Sequence, residues 1–323
     1  MPKSKENEVL IRVAAAGVNN TDINTRTAWY SKSDNNGADA SWSGNALIFP
    51  RIQGADVCGT IVSVGENISK KRIGERVLID PCLREVNGQQ LDPPWYFGSE
   101  CDGGFAEFTV VSSGHAYPIK SELSDAQLAT FPCSYSTAEN MLTRAKVTGK
   151  DKVLITGASG GVGSAAIQLA KARGAHVIAV TSPAKKQQLL DLGADEVIFR
   201  GANLVEVLGE NSVDVVIDLV AGSQWPQFLH VLKAQGRYAV SDAIGGPLVE
   251  LDIRTLYLKD LSFFGCTVLE PGVFQNLLNC IEQKKITPIV ALTFPLEEIN
   301  TAQQVFLEKK HVGKIVLTVA ATD

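Results

Sequence analysis

Residues 152–173 read KVLITGASGGVGSAAIQLAKAR, and this stretch decides the fold. Val153, Leu154 and Ile155 form a short apolar run of the kind buried inside a parallel sheet. A glycine turn follows at 157–163. Val162, Ala165, Ala166, Leu169 and Ala170 then recur at helical spacing, which predicts a helix with that face packed on the sheet. The first N–H groups of such a helix have no partner within it, so its N-terminus favours an anion. Gly160 lets the backbone approach a pyrophosphate and Gly163 lets helix and strand lie close, the roles glycine has in a dinucleotide fingerprint. Gly161 and Val162 complete the turn, and Ala158 stands where the first glycine is usual. A lone glycine pattern of this kind can also be a mere tight turn.

The surrounding chain favours the nucleotide reading. Residues 176–180 read as a second apolar strand, 183–192 as a helix, 196–199 as a third strand and 213–219 as a fourth, at the spacing of repeated βαβ units. The alternation continues through 224–232, 236–240 and 261–266. The expected fold class is α/β, a doubly wound parallel sheet.

The chain's 323 residues exceed what one core usually serves, so two domains are expected. No run approaches the roughly 18 apolar residues of a membrane span. The charged start, MPKSKENEVLIRV, has no secretory apolar region, which makes the cytoplasm the default location. A net charge of −5 with dispersed lysines argues against nucleic acid. The six cysteines, Cys58, Cys82, Cys101, Cys133, Cys266 and Cys280, lie far apart without CxxC pairs and are expected to be free thiols.

Before the fingerprint, residues 8–15 alternate as a strand and lead into GVNNTDINTRTAWY at 17–30. A helical turn there would set Asp22, Arg26 and Tyr30 on one face as a site; an exposed turn with an ion pair fits equally well. The polar stretch 31–45 is a lid candidate or a disordered insertion, with Trp42 its one anchor. Residues 54–64, 76–79 and 103–111 read as strands, so the first domain is mainly β. Ser124 caps a helix running toward Phe131 and ended by Pro132, and Ser136 or Thr137 opens a second helix to Lys146. After Cys266, a helix at 271–284, strands at 289–294 and 314–319, and a helix at 296–308 return the chain to the first domain. The dinucleotide domain, 122–283, is thus expected to be inserted between 1–121 and 284–323.

This order resembles the medium-chain dehydrogenase/reductase superfamily over nearly the whole chain. Asn19, Asp22, Arg26 and Tyr30 match the N-x2-D-x3-R-x3-Y spacing of its zinc-free quinone oxidoreductase branch. Residues 103–107, GGFAE, resemble the family's GG-x-AE strand, Thr137-Ala138 its T-A at the helix bordering the nicotinamide, and HVGKIVL its closing strand. TFPCSYSTAENML and RTLYLKDL are similar to segments of a zinc-type alcohol dehydrogenase-like subgroup. The resemblance implies a GroES-like catalytic domain around the Rossmann domain, and a homodimer through the 261–266 edge strand. It also implies two further N-terminal strands, so the start is expected to be truncated or misassigned; if the shortened chain is real, part of the first domain's sheet would expose an edge. Where zinc alcohol dehydrogenases carry a cysteine and a histidine ligand, this chain has Asn19 and Ala55, and the cysteine-rich zinc lobe is missing. No metal is expected. TGASGGVG also resembles the opening of short-chain dehydrogenases, but no tyrosine here has their lysine four residues on.

The second strand ends HVIAVTSPAKK, without the acid that binds a ribose 2′-hydroxyl. Ser182 reads as an N-cap, which puts Lys185 and Lys186 in a first helical turn, where cations oppose the dipole unless an anion binds. The resemblance places Thr181, Lys185 and Arg200 at a 2′-phosphate, so the expected cofactor is NADP(H); a lysine-rich exposed helix is the alternative. A hydride donor without a metal suits quinones or conjugated enones, which spread developing charge and need only a modest donor such as Tyr30. Asn19 and Asp56 are expected to line that site, Asp56 reading equally as a structural partner. Cys58 reads as a small core residue rather than a nucleophile. The alternatives are a non-catalytic NADPH-binding protein of the same fold and an alcohol dehydrogenase-like carbonyl reductase.

Overall fold

The structure, a computed structural model, describes residues 1–32 and 39–319. Residues 33–38 of the expected lid lie outside the described residues. The chain forms two compact units, Met1–Cys133 with Pro288–Asp323, and Ser134–Thr287.

In the second unit the strand Lys152–Ile155 is followed by the helix Gly161–Ala172, with Ala165, Ala166, Leu169 and Ala170 fully buried. Val162 is only half-buried, so the packed face starts one turn later than its spacing predicts. Six strands pair in parallel in the order Glu196–Phe199, His176–Thr181, Lys152–Ile155, Val213–Asp218, Leu232–Val240 and Ser262–Gly265. Numbered along the chain this is 3-2-1-4-5-6, a doubly wound sheet whose order reverses between Lys152–Ile155 and Val213–Asp218. Trp225, Phe228, Leu229 and Tyr238 fill one side of it.

The first unit is mainly β. Strand Glu8–Gly17 pairs with Cys58–Val64, Phe108–Ser112 and Lys314–Thr318, so the returning C-terminal segment is stitched to the first strand. Val9, Ile11, Val13, Ile61, Val77 and Ile79 form its core. The strand expected from 103 begins at Phe108, because residues 103–105 instead bond the backbone of 52–54. A hairpin, Cys82–Val86 with Gln89–Tyr96, was not foreseen. It turns on Asn87 (φ 52°) and Gly88 (φ 82°), the residue pair that tolerates two left-handed conformations in succession.

Two helix expectations need correction. Pro132 begins a helix rather than ending one: a single helix runs Pro132–Arg144, since the missing proline N–H costs nothing in a first turn. The short helix before it, Asp125–Leu128, carries a capping box between Ser124 and Gln127 and packs on the Glu8–Gly17 strand in the first unit.

Candidate active site

The cofactor-type residues lie in the second unit. Gly157 adopts φ +55° and makes the tight turn, so Ala158 one residue later is fully buried without needing glycine's freedom. A Cβ on Gly163 would stand 2.3 Å from the Gly157 carbonyl oxygen and 2.6 Å from the Ala158 Cα, which is why helix and turn close only around glycine. Exposed Gly160 is the N-cap, and no side chain caps this helix. Gly161 and Val162 follow half-buried. The helix therefore offers an uncapped positive end at the carboxyl edge of the first strand.

Next to it, Thr181 is 2 % exposed, and its hydroxyl is buried with no hydrogen-bond partner among the described residues. A buried unsatisfied hydroxyl is rare and needs an explanation. The Arg200 N–H donates to the Thr181 carbonyl at 2.8 Å, and the Lys185 ammonium donates to Ser159 Oγ at 3.3 Å. Burial lowers the Lys185 pKa, and the nearby Arg200 guanidinium adds to the effect. Two cations and an orphan hydroxyl thus gather at two adjacent strand ends. Ser182 stands at the N-cap and Pro183 opens the turn, as expected, but the turn is a 3₁₀ turn, Pro183–Lys185, ahead of the helix Lys186–Asp191, and the Ser182 side chain makes no cap bond. Half-buried Thr137 sits in the Pro132–Arg144 helix.

The first unit holds a buried polar cluster. Helix Asn20–Arg26 starts with a capping box between Asn19 and Asp22, whose Oδ2 accepts from the Asn19 N–H at 2.8 Å. Asn19 Nδ2 donates to Asp56 at 2.8 Å, and Asn19 Oδ1 accepts from Lys314. Lys314 Nζ lies 2.7 Å from Asp56, and the Cys133 N–H donates to Asp56 at 2.6 Å. Asp56 is fully buried and Asn19 is 6 % exposed, so both are engaged in holding one another, Lys314 and Cys133. Asp22 is pushed up to about 7, chiefly by burial. Cys133 is pushed up to about 12, first by burial and then by Asp56, so it is a neutral thiol and not a nucleophile. Cys58 is fully buried and raised by burial in the same way.

Tyr30 does not share a helical face with Asp22 and Arg26. The helix ends at Arg26 with Ala28 at φ 58°, and the three side chains part: Asp22 turns inward, Arg26 donates to Gln303 at 2.9 Å, and half-buried Tyr30 donates to Thr21 Oγ1 at 3.3 Å. Trp42 does anchor its loop. It stacks on Tyr96 with ring centroids 5.1 Å apart, and its backbone N–H donates to Ser99 Oγ at 3.1 Å. Tyr96 in turn donates to Cys133 Sγ at 3.1 Å, and Ala55, Tyr96, Cys133 and Trp42 form one apolar cluster. Lys314, Cys133, Tyr96 and Ser159 escaped the reading of the sequence. Lys314 had one signal, a charge opening the apolar run KIVL.

Residues 5–121 match the alcohol dehydrogenase GroES-like domain and residues 161–283 the zinc-binding dehydrogenase domain. A solved structure from Sinorhizobium meliloti 1021, provisionally named an alcohol dehydrogenase, is 41 % identical, with a TM-score of 0.89 over 99 % of this chain and 90 % of that one. The chain belongs to the medium-chain dehydrogenase/reductase superfamily. It is also 29 % identical to an acryloyl-coenzyme A reductase of Metallosphaera sedula, over 98 % of this chain and 94 % of the relative. A quinone oxidoreductase of Rattus norvegicus is 29 % identical over 98 % and 91 %. This medium-chain dehydrogenase/reductase is accordingly an oxidoreductase, and its quinone oxidoreductase-like character fits the motifs.

The side chains of this member do not fit a zinc ion. Among the described residues no three His, Cys, Asp or Glu side chains gather to hold a metal. At the polar cluster the Lys314 ammonium already pairs with Asp56, and Cys133 is held as a thiol. A nicotinamide dinucleotide does fit, on the uncapped helix end and the orphan Thr181 hydroxyl.

Proposed function

We propose that this protein is a zinc-independent, NADPH-dependent reductase of quinones or conjugated enones. The observation that carries the cofactor reading is the buried Thr181 hydroxyl without a partner, beside Lys185 and Arg200. A 2′-phosphate would satisfy the hydroxyl and offset the repulsion of the two cations. Gly160, Gly161, Val162 and Gly163 would hold the pyrophosphate, with Ala158 closing the turn behind them and Ser182 starting the next one. Thr137 would border the nicotinamide.

When bound, the nicotinamide supplies a hydride. On a conjugated acceptor or quinone the negative charge that a hydride brings would spread to the acceptor oxygen. Tyr30 donates a hydrogen bond there, and a proton from solvent completes the reduction. Asn19 and Asp56 act from behind, fixing the Asn20–Arg26 helix and the Lys314–Thr318 strand against each other. The acryloyl-coenzyme A reductase and quinone oxidoreductase relatives support conjugated acceptors. Subunits would pair through the edge strand Ser262–Gly265, where Phe263 is 36 % exposed and the adjacent helix Ile253–Leu258 has no buried residue.

Fluorescence titration tests the cofactor reading. NADPH should bind at least tenfold tighter than NADH, one charge-assisted contact being worth about that much; equal affinities would contradict it.

A further inference from the structure

Asp218 ends the strand Val213–Asp218 and has no exposed surface. Its side-chain oxygens accept from four donors: Thr156 Oγ1 at 2.5 Å, Tyr238 Oη at 2.6 Å, the Val220 N–H at 3.0 Å and the Ala221 N–H at 3.1 Å. Thr156 follows the first strand of the sheet and Tyr238 lies on the next strand over, so one carboxyl group ties together the ends of three neighbouring strands. The Thr156 hydroxyl also accepts from the Leu219 N–H at 2.9 Å.

This tie spans the place where the strand order reverses, and in open α/β sheets a ligand lies in the crevice at that point, outside the strand carboxyl ends. It also shapes the loops there. With its N–H held by Asp218, Ala221 adopts φ 54° and ψ −135°, a conformation that side-chain-bearing residues rarely take. The neighbouring loop is then zipped on: Gly245 N–H donates to the Val220 carbonyl at 2.7 Å and Gly222 N–H to the Gly246 carbonyl at 3.1 Å. A Cβ on Gly222 would stand 2.4 Å from the Gly245 carbonyl oxygen, so nothing larger fits this seam.

We propose that Asp218 is a positioning residue for the nicotinamide half of the cofactor, acting through the 219–222 and 241–246 loops. This rests on the dinucleotide reading above. On that reading the adenine-side phosphate lies at Thr181, Lys185 and Arg200, at or just past the ends of the strands His176–Thr181 and Glu196–Phe199 before the reversal, and the pyrophosphate at the Gly160 helix end. The remaining half then extends across the reversal onto the loops that Asp218 shapes.

Calorimetric titration of the full chain with two ligands tests the proposal: NADPH, and adenosine 2′,5′-bisphosphate, which lacks the nicotinamide half. Asp218→Asn should weaken NADPH by about tenfold, the size of one lost charge-assisted bond, and leave the bisphosphate within about twofold. Tyr238→Phe, which keeps the ring packing and removes one donor, should move in the same direction by a smaller factor and serves if Asp218→Asn fails to fold. Equal weakening of both ligands in Tyr238→Phe would assign the network to general stability and overturn the proposal, as would no change in either. Failure of the unmodified protein to bind either ligand would sink the cofactor reading itself, and the Asp218 proposal with it.

Discussion

The Lys314 ammonium lies 2.7 Å from the Asp56 carboxylate, with the two side chains 3 % and 0 % exposed. Removing one partner of such a pair leaves the other charge buried and uncompensated. Lys314→Met should therefore destabilise the fold by roughly 3–5 kcal/mol. Asp56→Asn in the same chain should recover part of the loss. Urea unfolding of the single and double variants checks this, and a loss under about 1 kcal/mol for Lys314→Met would mean that the pair is not closed to water.

Asp80 is buried, and its carboxyl is raised from 3.8 to about 7, mainly by burial, against the Cys82 N–H and Arg84. Between those values the folded protein binds more protons than the unfolded chain, so the Asp80 contribution falls as pH rises from about 4 to about 7. Asp80→Asn removes that slope. Its stability relative to the unmodified protein should improve steadily across this window, and a constant difference between the two pH profiles would exclude the raised carboxyl.

At the phosphate end, Lys185→Ala should weaken NADPH roughly tenfold or more and leave NADH almost unchanged. Fluorescence titration with both cofactors checks it. Equal losses would mean that Lys185 supports the Ser159 turn and does not read the phosphate.

The sheet was legible because its pattern is local: apolar runs, glycine turns and helical spacing repeat within each βαβ unit, and Thr181, Lys185 and Arg200 fall on adjacent strand ends. The polar cluster was not, because its partners are far apart in sequence. Lys314 meets Asn19 and Asp56 only after the last strand pairs with the first, and Tyr96 reaches Cys133 only through an unforeseen hairpin. That hairpin had a signal, Asn87-Gly88, whose two left-handed residues specify the turn. The Asp22, Arg26 and Tyr30 spacing misled for the opposite reason. Helical periodicity was carried past Thr27, where the chain leaves the helix and Ala28 turns left-handed.

Tyr30, held by Thr21 at 3.3 Å, is the donor proposed for the acceptor oxygen. If it acts as charge develops there, Tyr30→Phe should lower kcat and kcat/KM together by about 10–100-fold, with NADPH affinity unmoved. A variant that keeps its turnover and loses only a little thermal stability would make Tyr30 a packing residue.

The most direct test is NADPH oxidation by chelator-dialysed protein across a panel of quinones and conjugated enones, with simple ketones as controls. The account predicts turnover confined to the conjugated acceptors, faster with NADPH than with NADH and unchanged by the chelator. Activity on simple ketones or alcohols that disappears on chelation and returns with zinc, or tight NADPH binding without turnover on any acceptor, would contradict it.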